Sequence, residues 1–262
     1  MEAIDFLMYS YFGIDLSDTN LDEETIIDTA IDKAYSDATN QGAFNAIVEK
    51  NQDEYIASAR REASGRLKKF VEDVTSGSDE YDLLFAEACN CIKHEFAEIH
   101  VKKSGESNKE AFTFGNAQKW INMTMKNLYV ICSLIDDSHN ADTISFKNSV
   151  LKASRDFHVP VDSYIIEKLW GVSFLPYIGE LKNGKPVYMR KLGEYNKGDV
   201  VEEYMENRVI GWSLWTEEIY NHFHGGMKDY LKDNRSEIEW ECKAWIEVAS
   251  KRKNKRWTLM GE

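Results

Sequence analysis

Proline is nearly absent from this chain, with 3 in 262 residues. Proline breaks helices and blocks sheet ladders, so its scarcity leaves long helices uninterrupted. Cysteine is also sparse: Cys89, Cys91, Cys132 and Cys242 are too few for a disulfide framework at this length, and free thiols are expected. No apolar run approaches the roughly 18–20 residues that a membrane-spanning helix needs, so no membrane partner is expected. The opening stretch carries Glu2 and Asp5 and no basic cluster, which predicts that it is not a cleavable signal and that the protein is cytoplasmic. Basic charge is in deficit as well. Against 45 acidic residues stand 32 Lys and Arg, leaving a net charge of −13, which argues against indiscriminate nucleic-acid binding.

Several function classes are excluded by missing motifs. The chain contains no G-x-S-x-G, so a serine-hydrolase elbow is not expected. Neither G-x-x-x-x-G-K-[ST] nor G-x-G-x-x-G occurs, which removes P-loop nucleotide hydrolases and disfavours a standard dinucleotide fold. Cys89, Cys91, His94 and His100 tempt a metal reading. Positions two apart on a helix point about 200° apart, however, so Cys89 and Cys91 do not share an ion, and His222 with His224 has the same defect. The expectation is no metal and no cofactor.

What is present is aromatic mass and helical periodicity. With 7 Trp, 13 Tyr, 12 Phe and 43% hydrophobic residues, the chain has enough apolar surface for a large core. The spacing of Ile26, Ile27, Ala30, Ile31 and Ala34 predicts one helix over 21–37. Further helices are expected at 42–75, broken by Ser76-Gly77-Ser78, at 79–101 with Leu83 and Cys91 in its buried set, at 116–135, 147–156, 163–170, 216–232 and 235–252, where Trp240 and Trp245 face inward. Residues 102–108 and 136–146 read as loops. Leu181-Lys182-Asn183-Gly184-Lys185 predicts one β-hairpin at about 174–190. The expected fold is mostly α, a helical two-lobed domain with a central cleft. An acidic N-terminal helical region (1–105) precedes a helical domain (106–262), the two standing either apart or as one unit.

Charge is distributed unevenly. Residues 1–60 hold 13 acidic and 3 basic side chains, so they carry −10 of the total, while Lys251, Arg252, Lys253, Lys255 and Arg256 make the end of the chain basic. An acidic molecule of this kind can still present a phosphate-facing side.

Two segments stand out. Phe114-Gly115-Asn116-Ala117-Gln118-Lys119-Trp120 places a lysine near a helix start, and Val159-Pro160-Val161-Asp162 places an aspartate at the natural N-cap of another. Small residues four and two positions before Lys119 resemble, in degraded form, the G-x-G-x-K hairpin of helix-hairpin-helix DNA glycosylases. Asp162 stands where the 8-oxoguanine branch of that superfamily carries its catalytic aspartate. The helix from Gln118 to Lys126 is similar in character to the lysine-bearing helix of the archaeal members. The resemblance covers about residues 112–170. It departs from the family in having Phe114 for the usual proline, Ala117 for the second glycine, and a longer interval between lysine and aspartate.

The resemblance implies a DNA glycosylase, with or without lyase activity, acting on double-stranded DNA that contains a modified base. Lys119 would attack the anomeric carbon, and Asp162 would stabilise charge on the sugar. Backbone amides near Gly115 and Ala117, with Gln118 and Lys126, would contact DNA, and Trp120, Trp212 or Trp215 would stack on the flipped base. Read without the resemblance, Lys119 and Lys126 are solvated lysines, which for Lys126 is the preferred reading, and Asp162 is only a helix cap. The rival function is a non-catalytic acidic helical module that binds another protein or a small ligand.

Overall fold

A computed structural model describes residues 3–39, 44, 53–101, 109–178, 180–182, 185–192, 201–206, 208–209, 211–232 and 236–260; the side chains of 100–109, 177–209 and 253–260 are left aside. Among these residues the protein is mostly helical. The helices are α1 (Ala3–Phe12), α2 (Glu23–Thr39), α3 (Asp53–Thr75), α4 (Tyr81–Glu95), α5 (Phe114–Leu134), α6 (Ala141–Ala153), α7 (Ser163–Lys168), α8 (Glu217–Leu231) and α9 (Glu237–Met260), with a 3-10 turn at Trp212–Leu214. None of them is long and apolar enough to cross a membrane.

Helix α5 organises the rest. Fifteen of its 21 residues are buried, on every side of the helix, from Phe114 to Cys132. Lys119, a solvated lysine when read without the resemblance, is therefore interior at 4% exposed, and Asn122 is fully buried. Buried polar groups require partners, and α5 finds them on α2. Asn116 Nδ2, Trp120 Nε1 and Asn127 Nδ2 donate to the carbonyls of Ala38 (3.0 Å), Ile31 (3.0 Å) and Ala30 (3.2 Å). The reversed order of those acceptors makes the two helices antiparallel. On α2 the predicted face, Ile26, Ile27, Ala30, Ile31 and Ala34, is buried, and Glu23 and Glu24 occupy the first turn, where the helix dipole favours acids.

One hydrophobic core runs from Met8 through the middle helices to Ala244, so the acidic first third and the remainder share it. The start of α5 is closed by Thr113, whose hydroxyl accepts from the Asn116 amide while the Asn116 side chain accepts from the Thr113 amide.

Elsewhere the expectations shift. Helix α4 stops at Glu95, six residues short of Val101, and the chain turns into a two-residue strand β1 (His100–Val101) paired with β2 (Lys109–Glu110). Cys91 and Leu83, expected in the core, are exposed because α4 buries only the stripe Tyr81, Phe85, Ala88, Cys89 and Ile92. Helix α6 begins earlier than expected, at Ala141, because Asn140 caps it by accepting from the Thr143 amide at 3.0 Å.

The expected single hairpin is also corrected. The segment holds β3 (Tyr177–Ile178), β4 (Glu180–Lys182), β5 (Lys185–Leu192), β6 (Val201–Glu206) and β7 (Arg208–Val209). Strands β4, β5 and β6 form a three-stranded antiparallel sheet, and β3 pairs with β7. A second long pairing, Val187–Leu192 with Val201–Glu206, extends the strand region well past residue 190. Asn183 and Gly184 themselves, the loop at 102–108 and the N-terminal part of the 42–75 helix lie outside the described residues.

Candidate functional site

Lys119 and Asp162, 43 positions apart in sequence, meet. The Lys119 Nζ lies 3.7 Å from Asp162 Oδ2. The two side chains project from α5 and from the start of α7 into a cavity of about 800 Å3. Its other walls come from α1 (Leu7, Met8, Tyr11), from Asp37 on α2, from Met123 and Lys126 on α5, and from Tyr164, Trp212 and Trp245.

Asp162 has two roles at once. Its Oδ1 caps α7 by accepting from the amides of Tyr164 (2.8 Å) and Ile165 (2.9 Å). Those bonds fix the carboxylate plane and leave Oδ2 directed at the lysine. Capping α7 and facing Lys119 are thus compatible in one geometry. Asparagine caps as well as aspartate does. Both Asp162→Asn and Asp162→Ala take the counter-charge from buried Lys119, and Asp162→Ala should cost about 1 kcal/mol more than Asp162→Asn because it also loses the cap. Any activity of this site should fall in both variants, by ~100-fold or more, because both remove the charge beside the reacting centre. Paired melting curves and rate measurements separate the two contributions.

Lys119 sits in a dry position. Burial pushes its pKa below the ordinary lysine value, against the opposing pull of Asp162. The indole of Trp212 lies 5.8 Å from the Nζ, at the outer edge of cation–π range. Burial likewise raises the pKa of Asp37 and that of Glu241. Lys126 forms a 2.7 Å ion pair with Glu241, whose side chain is 1% exposed, so Lys126 lines the cavity and does not occupy a solvated face.

The other residues expected at a DNA contact lie inside the protein. Ala117 and Gln118 are fully buried, and Gln118 spends its amide on the Gly115 carbonyl (3.0 Å) and on Asn122 (3.1 Å). Gly115 is pressed against the backbone of the 3-10 turn: a Cβ there would overlap the Trp212 carbonyl oxygen. The Ala117 amide, expected to help cradle a phosphate, donates to the Thr113 carbonyl at 3.1 Å. The function of Gly115 is to let Trp212 approach.

Among the three stacking candidates, Trp120 is sealed inside with its indole on Ile31, and Trp215 is 1% exposed. Trp212 alone of the three reaches the cavity. Trp245, expected to be core, also lines it, stacked on Tyr164 with centroids 4.6 Å apart, while Trp240 packs half-buried against the core. Tyr164, Trp245 and Trp212 give the cavity aromatic lining, a surface on which a planar ligand can stack.

Sequence reasoning missed Asp37, Glu241, Tyr164 and Trp245. Only the position of Tyr164, two residues after the cap, carried any local signal.

No family model, no curated protein and no solved structure matches the chain. The site is read from its own geometry.

Proposed function

We propose that the protein is a DNA glycosylase with associated lyase activity, excising a modified base through Lys119 and Asp162 in a cleft between two helical lobes. The observation that carries this reading is the convergence of a desolvated amine with a carboxylate 3.7 Å away, inside an aromatic-walled cavity. Such a pair suits glycosidic-bond cleavage. The carboxylate offsets positive charge that develops on the sugar as the bond to the base breaks. The neutral amine attacks C1′ while the base leaves with its bonding electrons and takes up a proton. The ring then opens to an imine between Lys119 and the sugar. Trp212 and the Tyr164–Trp245 pair would hold the extruded base by stacking.

Support from the surface is narrower. Arg252 lies at the start of α7 and Lys168 at its end, but Lys168 and Lys251 pair with Glu247 and Arg252 pairs with Glu167. A DNA backbone would have to compete with those carboxylates, so binding should depend strongly on salt.

The test is borohydride trapping on duplexes that carry single 8-oxoguanine, uracil or alkylated bases, or an abasic site. A covalent protein–DNA adduct on one of them, with base release, supports the reading. Absence of base release, of adduct and of salt-sensitive DNA binding across the panel overturns it in favour of the non-catalytic ligand-binding or protein-binding module.

A further inference from the structure

Away from the residues that line this cavity, three side chains from distant parts of the chain converge. Asp82 comes from the first turn of α4, His158 from the connection between α6 and α7, and His224 from α8. One ligand atom from each lies within 4.8 Å of the other two. His158 Nε2 is 2.9 Å and His224 Nε2 is 3.4 Å from the same oxygen, Asp82 Oδ1. Atoms bound to one zinc-class ion at about 2.05 Å stand roughly 2.9–3.4 Å from each other, for angles between square and tetrahedral.

The far side of each ring is held. His158 Nδ1 lies 3.0 Å from the Tyr220 hydroxyl, and His224 Nδ1 lies 3.3 Å from Glu237 Oε1. Glu237 is fixed in turn, its Oε2 accepting from the Val159 amide at 2.9 Å. A carboxylate behind an imidazole is the usual outer support of a metal-bound histidine.

His224 supplies the independent sign of a ligand. It is 8% exposed, and its Nε2 is buried without a hydrogen-bond partner. Facing the Glu237 carboxylate, Nδ1 carries the ring hydrogen, so in the neutral ring Nε2 presents a bare lone pair to the Asp82 oxygen. In that neutral form two lone pairs would face one another, a conflict that a cation between them removes.

We propose that Asp82, His158 and His224 bind one divalent first-row transition ion of the zinc class. Two imidazoles and one carboxylate suit such an ion better than magnesium or calcium, which prefer all-oxygen sites. Asp82 binds through Oδ1 alone, since Lys228 Nζ holds Oδ2 at 2.7 Å. A cavity of about 550 Å3 opens at Asp82, with Asp79, Glu80 and Asp156 among its lining, and admits water to the remaining coordination positions. The ion would tie α4, α8 and the turn at His158 together, four residues before Asp162. Its binding does not depend on the glycosylase reading.

The site is tested on the full chain, stripped with chelator and titrated with Zn2+ and Co2+ by calorimetry. The expected result is one ion per chain, a visible Co2+ ligand-field spectrum and a raised melting temperature. Asp82→Asn and His224→Gln should each weaken Zn2+ binding by about a hundredfold or more, and Glu237→Gln by about tenfold. His222→Gln, an exposed neighbour on the same helix, should bind as the parent does. Because the Asp82 side chain is 60% exposed, its variant decides the matter even where His224→Gln fails to fold. Absence of binding heat and of a Co2+ spectrum overturns the proposal, as does equal loss in His222→Gln. A doubly protonated His224 imidazole in ring-nitrogen NMR at saturating Zn2+ also overturns it, since a proton then occupies the place of the ion.

Discussion

On the proposed glycosylase reading, Lys119→Met should abolish imine trapping and lower strand cleavage by about a thousandfold, while the protein stays folded. Losing a nucleophile removes an interaction made only on the reaction path, and residual rates come from binding and the remaining charges. The stability half of the expectation is less obvious. Lys119 is a cation held in a dry site, and burial lowers its pKa. The unfolded chain therefore holds that proton more readily than the folded one. Below the folded pKa the buried charge costs stability, and that cost is relieved as pH rises through the window between the lowered folded value and the ordinary lysine value. Methionine fills a similar volume without the charge. Asp162 keeps its two amide donors and a side chain 19% exposed, so it is not stranded when the lysine goes. Lys119→Met should melt within about 1 kcal/mol of the parent, with a flatter stability profile above neutral pH.

The same shift gives the parent its own signature. Trapping needs the neutral amine, so its rate should climb with pH and level off at a lower pH than for an exposed lysine. Lys126→Gln should still trap, because its amine is engaged by Glu241 at 2.7 Å. A trapping level equal in the Lys119 and Lys126 variants would remove Lys119 from the chemistry.

Gly115→Ala is expected to cause the largest loss of stability. The added methyl would overlap the Trp212 carbonyl oxygen and stand 3.0 Å from Ser213 Cα and carbonyl carbon. These are backbone atoms, so no rotamer change relieves the clash, and the turn must move as a unit. Thr113, whose hydroxyl donates to the Ser213 carbonyl at 2.7 Å, would be dragged with it. Overpacking of this kind costs about 3 kcal/mol, a fall in Tm of roughly 6 °C for a chain this size. The shift would also move the Trp212 indole away from Lys119, so activity should fall beyond what unfolding explains. Gly65→Ala is the matched control. It sits on the exposed face of α3 with nothing within 4 Å of the added Cβ, and it should stabilise by about 0.5–1 kcal/mol. A mild effect at Gly115 would mean that the turn is not packed against α5 as described.

Local rules accounted for much of this molecule. The apolar spacing of α2, the full-length periodicity of α5 and the cap at Asp162 follow from neighbouring residues alone, since helix period and N-cap chemistry act within a few positions. Scarce proline and the aromatic content told correctly of a mostly helical chain with a large core. The pairing of Lys119 with Asp162 was legible only as a juxtaposition of two helix starts, with no spacing rule to bring them within 4 Å.

The tertiary structure alone decided the rest. Whether a lysine on a helix meets water depends on what packs against it, and α5 proved to be surrounded, which turned Lys119 from a surface residue into an interior one and set Lys126 on the cavity wall. It likewise moved Gly115, Ala117 and Gln118 inside, brought Tyr164 and Trp245 to the cavity, and gathered Asp82, His158 and His224 from three remote segments. Burial and long-range proximity are properties of the closed chain, where desolvation sets each group's charge, and no window of sequence contains them.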